Sequence, residues 1–352
     1  MHENELMNLE KRVKSFEYLG QLLRSYHEAP NDPEMILLAE AARLAYFENQ
    51  WFTPENIRIA LNSLGEALLP ENLSEWLFPY LHRLHNSLVP KTVGVVMAGN
   101  IPAVGFHDFL CVLISGHKLK ARLSSADHRL IPAMAEILTR FLPEWQEMIT
   151  FTPGRLEQFD VIIATGSDNT SRYFEYYFGK YPHIIRKNRN SVAIIRGDET
   201  EEDLRKLAGD IMLYFGMGCR SVSKIWVPLQ YDYTALVRAL KGYDAYAHHN
   251  KYRNNYDYSK SIFMVNQVPV IDTGCLLLKE DPALNSRISV LNYEYYSRLD
   301  DVLKTLENSS DSVQSIISAN TVSCPTILPG TAQNPALWDY ADDIDTLDFL
   351  LS

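Results

Sequence analysis

Cysteine is sparse in this chain. Its 352 residues hold four, Cys111, Cys219, Cys275 and Cys324, all far apart. There is no CxxC pair and no HExxH helix, which argues against a zinc site. The spacing matches no disulfide framework, which suits a reducing compartment. Long apolar runs are missing as well, and none approaches the roughly 20 residues of a membrane span. The opening MHENELMNLEKRVKSFEYLG is charged and has no apolar signal core, so a soluble cytoplasmic protein is the expectation. Basic charge is in deficit. A net charge of −11 argues against general nucleic-acid binding, which needs a surplus of Lys and Arg. A local basic pocket for one phosphorylated cofactor stays open. Internal repeats and low-complexity segments are absent.

What is present can build a sizeable core. Hydrophobic residues make up 46% of the chain, and the length predicts two domains, or one large domain with a satellite. Residues 4–86 read as helices. LMNLEKRVKSFEYLGQLLRSY repeats its apolar residues at spacings of three and four. Thr53 before Pro54 marks a helix start. From residue 91 the pattern alternates. TVGVVMAG is a buried-strand run, PAVGFHDFLCVLISG a helix, HKLKARL a strand and HRLIPAMAEILTRFL a helix. Strands follow at MITFTP, FDVIIATG and SVAIIRG, then KIWVP, SIFMV, CLLLK, ISVLNYEYY and SVQSIIS. Helices are expected after Asn169 and in ETEEDLRKLAGDIMLYF, DYTALVRALKGY and RLDDVLKTLE. The tyrosine-rich YDAYAHHNKYRNNYDYS looks least ordered. Strands alternating with helices indicate an α/β fold with a mostly parallel sheet.

Three short stretches carry chemistry. In YFGMGCRSVSKIWVP, Cys219 follows Gly216 and Gly218, which lets backbone approach closely and places the thiol on an open turn. Arg220 adjoins it and favours thiolate, the form that attacks acyl groups. Cys111 in FLCVLI and Cys275 in CLLLK read instead as small buried hydrophobes. GMG is no dinucleotide fingerprint, because Val222 stands where the last glycine would be. In MAGNIPAVGFHDF, Asn100 is either a cap at a strand-to-helix turn or an amide donor for a developing oxyanion. In DVIIATGSDNTSRYF, Thr165, Gly166 and Ser167 lie between a buried strand and a helix start, where backbone N–H groups suit a pyrophosphate. Many α/β turns look like this without binding anything.

Taken in order, these pieces resemble the aldehyde dehydrogenase superfamily, and more closely its LuxC-type acyl-CoA reductases. GNIP at 99–102 is similar to that family's Asn-bearing turn, GHKLKARLSS at 116–125 to its second cofactor strand, and ATGS at 164–167 to its phosphate-facing turn. GMGCRSVSKIWVP is similar to the nucleophile segment, and GTAQNPALWDYADDIDTLDFL to the closing segment. The likeness covers roughly residues 91–352. It implies an aldehyde-dehydrogenase-like fold, a Rossmann-like cofactor domain joined to a thiol-bearing α/β domain. N-terminal helices and an NADP-binding domain would occupy 1–198, the cysteine domain 199–325 and a tail 326–352, with the active site between domains. The tail would either cross to a second subunit of a homo-oligomer or remain a solvated acidic end.

The chemistry implied is attack of Cys219 on an acyl-CoA thioester, with Asn100 and the Cys219 N–H holding the oxyanion. Hydride from a nicotinamide then yields the aldehyde. Two departures shape this expectation. HIIRKNRNSVAII has no carboxylate where hydrolytic relatives keep a Glu, which disfavours oxidation to a free acid. Its Arg186, Lys187 and Arg189 are either a solvated face or an attractor of CoA or cofactor phosphates. Where NAD-preferring relatives place Lys and Glu beside the ribose, Arg122 and Ser125 stand here. Arg122 with Ser124 and Ser125 would accept a 2′-phosphate, so NADPH is expected over NADH. His107 and His117 read as structural, and His248 or His249 is a weak candidate for a proton donor. A partner protein that supplies the acyl group is compatible with this reading. A cysteine acyltransferase or thioesterase, or a non-catalytic acyl-CoA- or nucleotide-binding protein, are the alternatives.

Overall fold

Capping chemistry sets the starts of the first helices. In the computed structural model of the chain, residues 7–85, 89–166 and 168–352 are described. Asn8 accepts the Lys11 N–H ahead of α1 (Leu9–Arg24), and Asp32 those of Glu34 and Met35 ahead of α2 (Pro33–Glu48). Thr53 takes the Asn56 N–H ahead of α3 (Pro54–Ala67). A proline opens α2, α3 and α4 (Pro70–Leu77), where its missing N–H costs nothing, and the short α5 (Leu81–Leu84) follows.

The chain divides into two units, residues 1–187 with 335–352, and residues 188–334. In the first unit the alternation is β1 (Thr92–Val96), α6 (Phe106–Ile114), β2 (Lys118–Arg122), α7 (Leu130–Phe141), β3 (Ile149–Phe151), β4 (Val161–Thr165), α8 (Asp168–Phe178) and β5 (His183–Arg186). The strands form one parallel sheet in the order β3-β2-β1-β4-β5. Its core is aromatic. Phe16 of α1 meets Phe106, Phe109 and Trp145 edge to face at 6.5, 6.3 and 5.8 Å.

The second unit runs β6 (Asn190–Ile194), α9 (Glu201–Met212), β7 (Val222–Pro228), α10 (Thr234–Leu240), α11 (Asn250–Val265), β8 (Val270–Asp272), β9 (Leu277–Glu280), β10 (Val290–Tyr296), α12 (Leu299–Asn308) and β11 (Val313–Ile317). Its sheet order is β11-β6-β7-β10-β9-β8, parallel except where β8 meets β9. The chain then returns to the first unit and ends in α13 (Thr346–Leu350), whose Leu347 and Leu350 are buried in that unit's core.

Four expectations change. The division falls after Lys187, because the strand in SVAII pairs with β7 and β11 and so belongs to the second sheet. The segment beginning at 326 is not one tail: its first residues stay with the second unit, and 335–352 pack on the first. SIFMV is the end of α11. The tyrosine-rich stretch is ordered as a 3-10 turn and that same helix. Tyr252, Tyr256, Ser259 and Phe263 are buried at spacings of four, three and four, so a helical stripe overrides the strand preference of the β-branched and aromatic residues. Strands β5 and β8 have no counterpart in the expected pattern. No described helix is long and apolar enough to cross a membrane.

Candidate active site

Strands β2, β1 and β4 are neighbours, with Val96 opposite Arg122 on one side and Ala164 on the other. The order reverses between β1 and β4, and at such a switch point the carboxyl edge of a parallel sheet leaves a crevice for a ligand. The ends of these three strands and the loops that follow hold Asn100 and the described residues expected to bind cofactor. Asn100 follows β1, Arg122, Ser124 and Ser125 close β2, and Thr165 and Gly166 close β4. Ser167 lies outside the described residues.

Asn100 is exposed. It is no helix cap, since α6 begins later and its N-cap is Gly105. The turn it occupies is pressed onto the loop after β2. A Cβ on Gly99 would sit 2.5 Å from the Ser124 Oγ and 3.1 Å from the Asp127 Cβ. Asp127, absent from the sequence reading, ties the two loops. Its Oδ2 accepts the Ala103 N–H at 2.7 Å, and Ala103 is in left-handed backbone at φ 55°. Burial pushes the Asp127 carboxyl up to about 6, against the pull of the Ala103 and Leu130 N–H groups.

Arg122 and Ser125 are exposed and Ser124 is half-buried, its Oγ accepting the Ala126 N–H at 3.2 Å. At the end of β4, the Gly166 N–H bonds the Arg186 carbonyl at 3.2 Å. A Cβ on Gly166 would meet Phe174 at 2.9 Å and Thr170 at 3.0 Å, so a larger residue here would have to push these side chains aside. The Arg186 side chain serves neither role foreseen for it. It is buried, and its Nη1 donates to both Asp108 oxygens at 2.8 and 2.7 Å while Nη2 donates to Thr346. Lys187 stays exposed, and Arg189 donates to the Val313 carbonyl at 3.4 Å.

Cys219 belongs to the second unit and is half-buried. It stands on the turn that enters β7, at the amino edge of that sheet. Tyr214, Phe215 and Gly216 before it are all left-handed, at φ 55°, 59° and 71°. Only the glycine adopts this freely. Phe215 is held there by Tyr246 and His249, whose rings lie 4.4 and 4.6 Å away. Within the turn the Gly218 N–H bonds the Ser221 Oγ at 3.1 Å and the Ser221 N–H bonds the Gly218 carbonyl at 3.0 Å. The Ser191 Oγ donates to the Cys219 carbonyl at 3.0 Å, and Arg220 reaches the Ser315 Oγ at 3.3 Å.

A parallel sheet with this switch point, joined to a second, mostly parallel sheet, is similar in fold to solved structures of aldehyde dehydrogenases. The aldehyde dehydrogenase KauB from Pseudomonas aeruginosa is similar with a TM-score of 0.60 and 12% identity, over 90% of this chain and 73% of that one. The P. syringae indole-3-acetaldehyde dehydrogenase, in complex with NAD+ and IAA, gives 0.62 and 12% over 89% and 73%. Aldehyde dehydrogenase 21 from Physcomitrella patens, in complex with succinate, gives 0.62 and 13% over 89% and 74%. This chain has the aldehyde dehydrogenase fold. No family model matches it, and no curated protein does.

In this aldehyde dehydrogenase fold the two buried cysteines and three of the histidines are bound into the structure. Cys111 and Cys275 are buried, and burial pushes both thiols up. Cys324 is half-buried. His107 bonds the Leu337 carbonyl at 2.9 Å. His117 meets the Leu350 carbonyl at 2.8 Å, and burial lowers its pKa. His249 caps α11, its Nδ1 accepting the Tyr252 N–H at 3.2 Å. A ring that accepts at Nδ1 carries its proton at Nε2 when neutral. Besides Asp127, the sequence reading missed Ser191, Asp210, Ser221 and Gln333. Each supports a turn through contacts remote in sequence, and no local pattern marks such residues.

Proposed function

We propose that the chain reduces an acyl-CoA thioester to the aldehyde with NADPH, through a thioester on Cys219. The observation that carries this reading is the seat of Cys219, half-buried beside Arg220 on a turn that follows a left-handed stretch, in an aldehyde dehydrogenase fold. The Cys219 thiolate attacks the carbonyl carbon, a carbon–sulfur bond forms, and the carbonyl electron pair moves to oxygen. The Asn100 amide and the Cys219 N–H would hold that oxyanion. The Gly218 and Ser221 N–H groups are spent inside the turn and are not available to it. The bond to the CoA sulfur then breaks and CoA leaves as a thiolate. Exchange of one thioester for another is near thermoneutral, so position and oxyanion stabilisation are what the protein must supply.

The residues after β1, β2 and β4 fit a dinucleotide. They share the carboxyl edge at the switch point, and Arg122 and Ser125 are exposed there with no carboxylate at position 125 to repel a phosphate. Arg122 with Ser124 and Ser125 would take the 2′-phosphate, and Thr165, Gly166 and Ser167 the pyrophosphate. NADPH, when bound, supplies the hydride that turns the acyl-Cys219 thioester into a thiohemiacetal. Cleavage of its carbon–sulfur bond frees the aldehyde and returns Cys219. The segment 183–195 carries no carboxylate to activate water, which supports transfer between thiols over hydrolysis.

The test is nucleotide oxidation with acyl-CoAs of increasing chain length, NADPH and NADH side by side. Turnover is expected with NADPH, and Cys219→Ala is expected to lower it by about 10³-fold or more. Acylation of Cys219 without nucleotide oxidation would instead mark an acyltransferase. A clear preference for NADH would remove the role given to Arg122, Ser124 and Ser125.

A further inference from the structure

The chain entering the turn that carries Cys219 is strained. Tyr214 and Phe215 are non-glycine residues in left-handed backbone, and such a conformation persists only where its surroundings over-determine it. The bond from Gly218 to Ser221 is one constraint, and Ser221 is itself held from outside the turn. The Gln333 Nε2 donates to the Ser221 Oγ at 3.3 Å, with both residues buried. The same nitrogen lies 3.5 Å from the Asp210 carbonyl. Gln333 is fixed in turn by the segment 330–333, which docks on α9. The Asp210 carboxylate accepts the Gly330 N–H at 2.6 Å and the Ala332 N–H at 3.2 Å. Gly330 is left-handed at φ 86°, and a Cβ there would meet Lys206 at 3.0 Å.

We infer that Gln333 is a positioning residue for the Cys219 thiol, acting through the Ser221 hydroxyl. This rests on the reading of Cys219 as the nucleophile. A hydroxyl oxygen has two acceptor sites, and those of Ser221 are filled by Gly218 and Gln333. Ser221 therefore cannot serve as the base that takes the thiol proton. Its task is geometric. It closes the turn from Gly218 to Ser221 with Cys219 in between, and Gln333 keeps it in the rotamer that does so. Residues 330–333 thus extend the site from a stretch more than a hundred residues away in sequence.

The test uses the full chain and three variants. Gln333→Leu removes the donor, and Ser221→Ala removes the oxygen it grips. Each is expected to lower kcat with acyl-CoA by about tenfold, with KM for acyl-CoA and for NADPH within about twofold of wild type. Gln333→Glu gives the distinguishing signature. A carboxylic acid donates to Ser221 only when protonated, so activity relative to wild type is expected to recover as pH falls from 8 to 6. Charged or titrating groups near that position include Asp210 and Lys206 on α9, Tyr243, raised by burial and by Asp210, and Arg220 and the Cys219 thiol in the turn of Ser221 itself. Asp210 itself sits at about 6 and would couple to a carboxyl at 333, so the same ratio is also taken in an Asp210→Asn background.

A second readout needs no substrate. Alkylation of Cys219 by iodoacetamide, followed on its own peptide, should show the same pH-dependent ratio in Gln333→Glu and a pH-independent ratio different from one in Gln333→Leu. If wild type turns over no acyl-CoA, the functional reading falls while alkylation still decides the positioning role. If Gln333→Leu does not fold, Ser221→Ala and Gln333→Glu decide it. Ratios within twofold of one and flat with pH in the folded variants overturn the inference.

Discussion

Arg186 donates from one Nη1 to both oxygens of Asp108, and both side chains are more than nine-tenths buried. Nη2 is satisfied by the Thr346 hydroxyl at 2.8 Å. A buried ion pair can contribute little net stability, yet removing one partner strands the other charge. Arg186→Leu is therefore expected to lower unfolding free energy by about 3–5 kcal/mol in urea titrations. The double variant Arg186→Leu with Asp108→Leu should be less destabilised than the single one, because no lone carboxylate is then buried. A loss under 1 kcal/mol in the single variant would contradict the assignment. The run RKNR looked uniformly cationic in sequence, but burial separates its members: Arg186 is core and Lys187 is surface.

At the scale of elements, the site is built from turns that glycines and buried carboxylates hold. The loop after β1 reaches the loop after β2 through Asp127, whose carboxyl sits at about 6 against 3.8 for a free side chain. In the unfolded chain Asp127 loses its proton near 3.8, whereas the folded protein keeps it to about 6. The folded state thus binds more proton in this window, and the contribution of Asp127 to stability falls as pH rises through it. Carboxylates such as Glu48, held down by Arg129, act in the opposite direction as pH falls. The readout is therefore a difference. Between pH 4 and 6 the melting temperature of wild type should fall relative to that of Asp127→Asn, and the gap should level off above 6. A gap that does not change with pH would show that Asp127 is not buried as described.

For the whole molecule, the second unit is one continuous stretch, while the first is completed by residues from both ends of the sequence. The returning segment is not a bare acidic end. Leu337, Tyr340, Leu347 and Leu350 join the core of the first unit. The Trp76 Nε1 donates to the Tyr340 hydroxyl at 2.8 Å, and Tyr80 donates to Asp345 at 2.5 Å. Each fully buried Leu contributes roughly 2 kcal/mol. Removing residues 335–352 is accordingly expected to lower the calorimetric melting temperature by more than about 10 °C, at every protein concentration. If the tail served only as an arm between subunits, the loss would shrink on dilution of the wild type to monomer.

The sequence by itself determined the α/β alternation, because buried parallel strands and amphipathic helices have periods that a short window displays. The open turn at Cys219 was legible in its neighbouring glycines, and the loops around Asn100, Arg122 and Thr165 lay at strand ends that the apolar runs marked. Local chemistry also misled, reading α11 as strand and disorder where a stripe of four buried side chains makes a helix. Only the tertiary structure decided which sheet SVAII joins, which cation of RKNR is core, and that Asp127 and Gln333 support turns far away in sequence. Strand pairing and burial are set by partners dozens or hundreds of residues off, and a chain read locally has no distances between them.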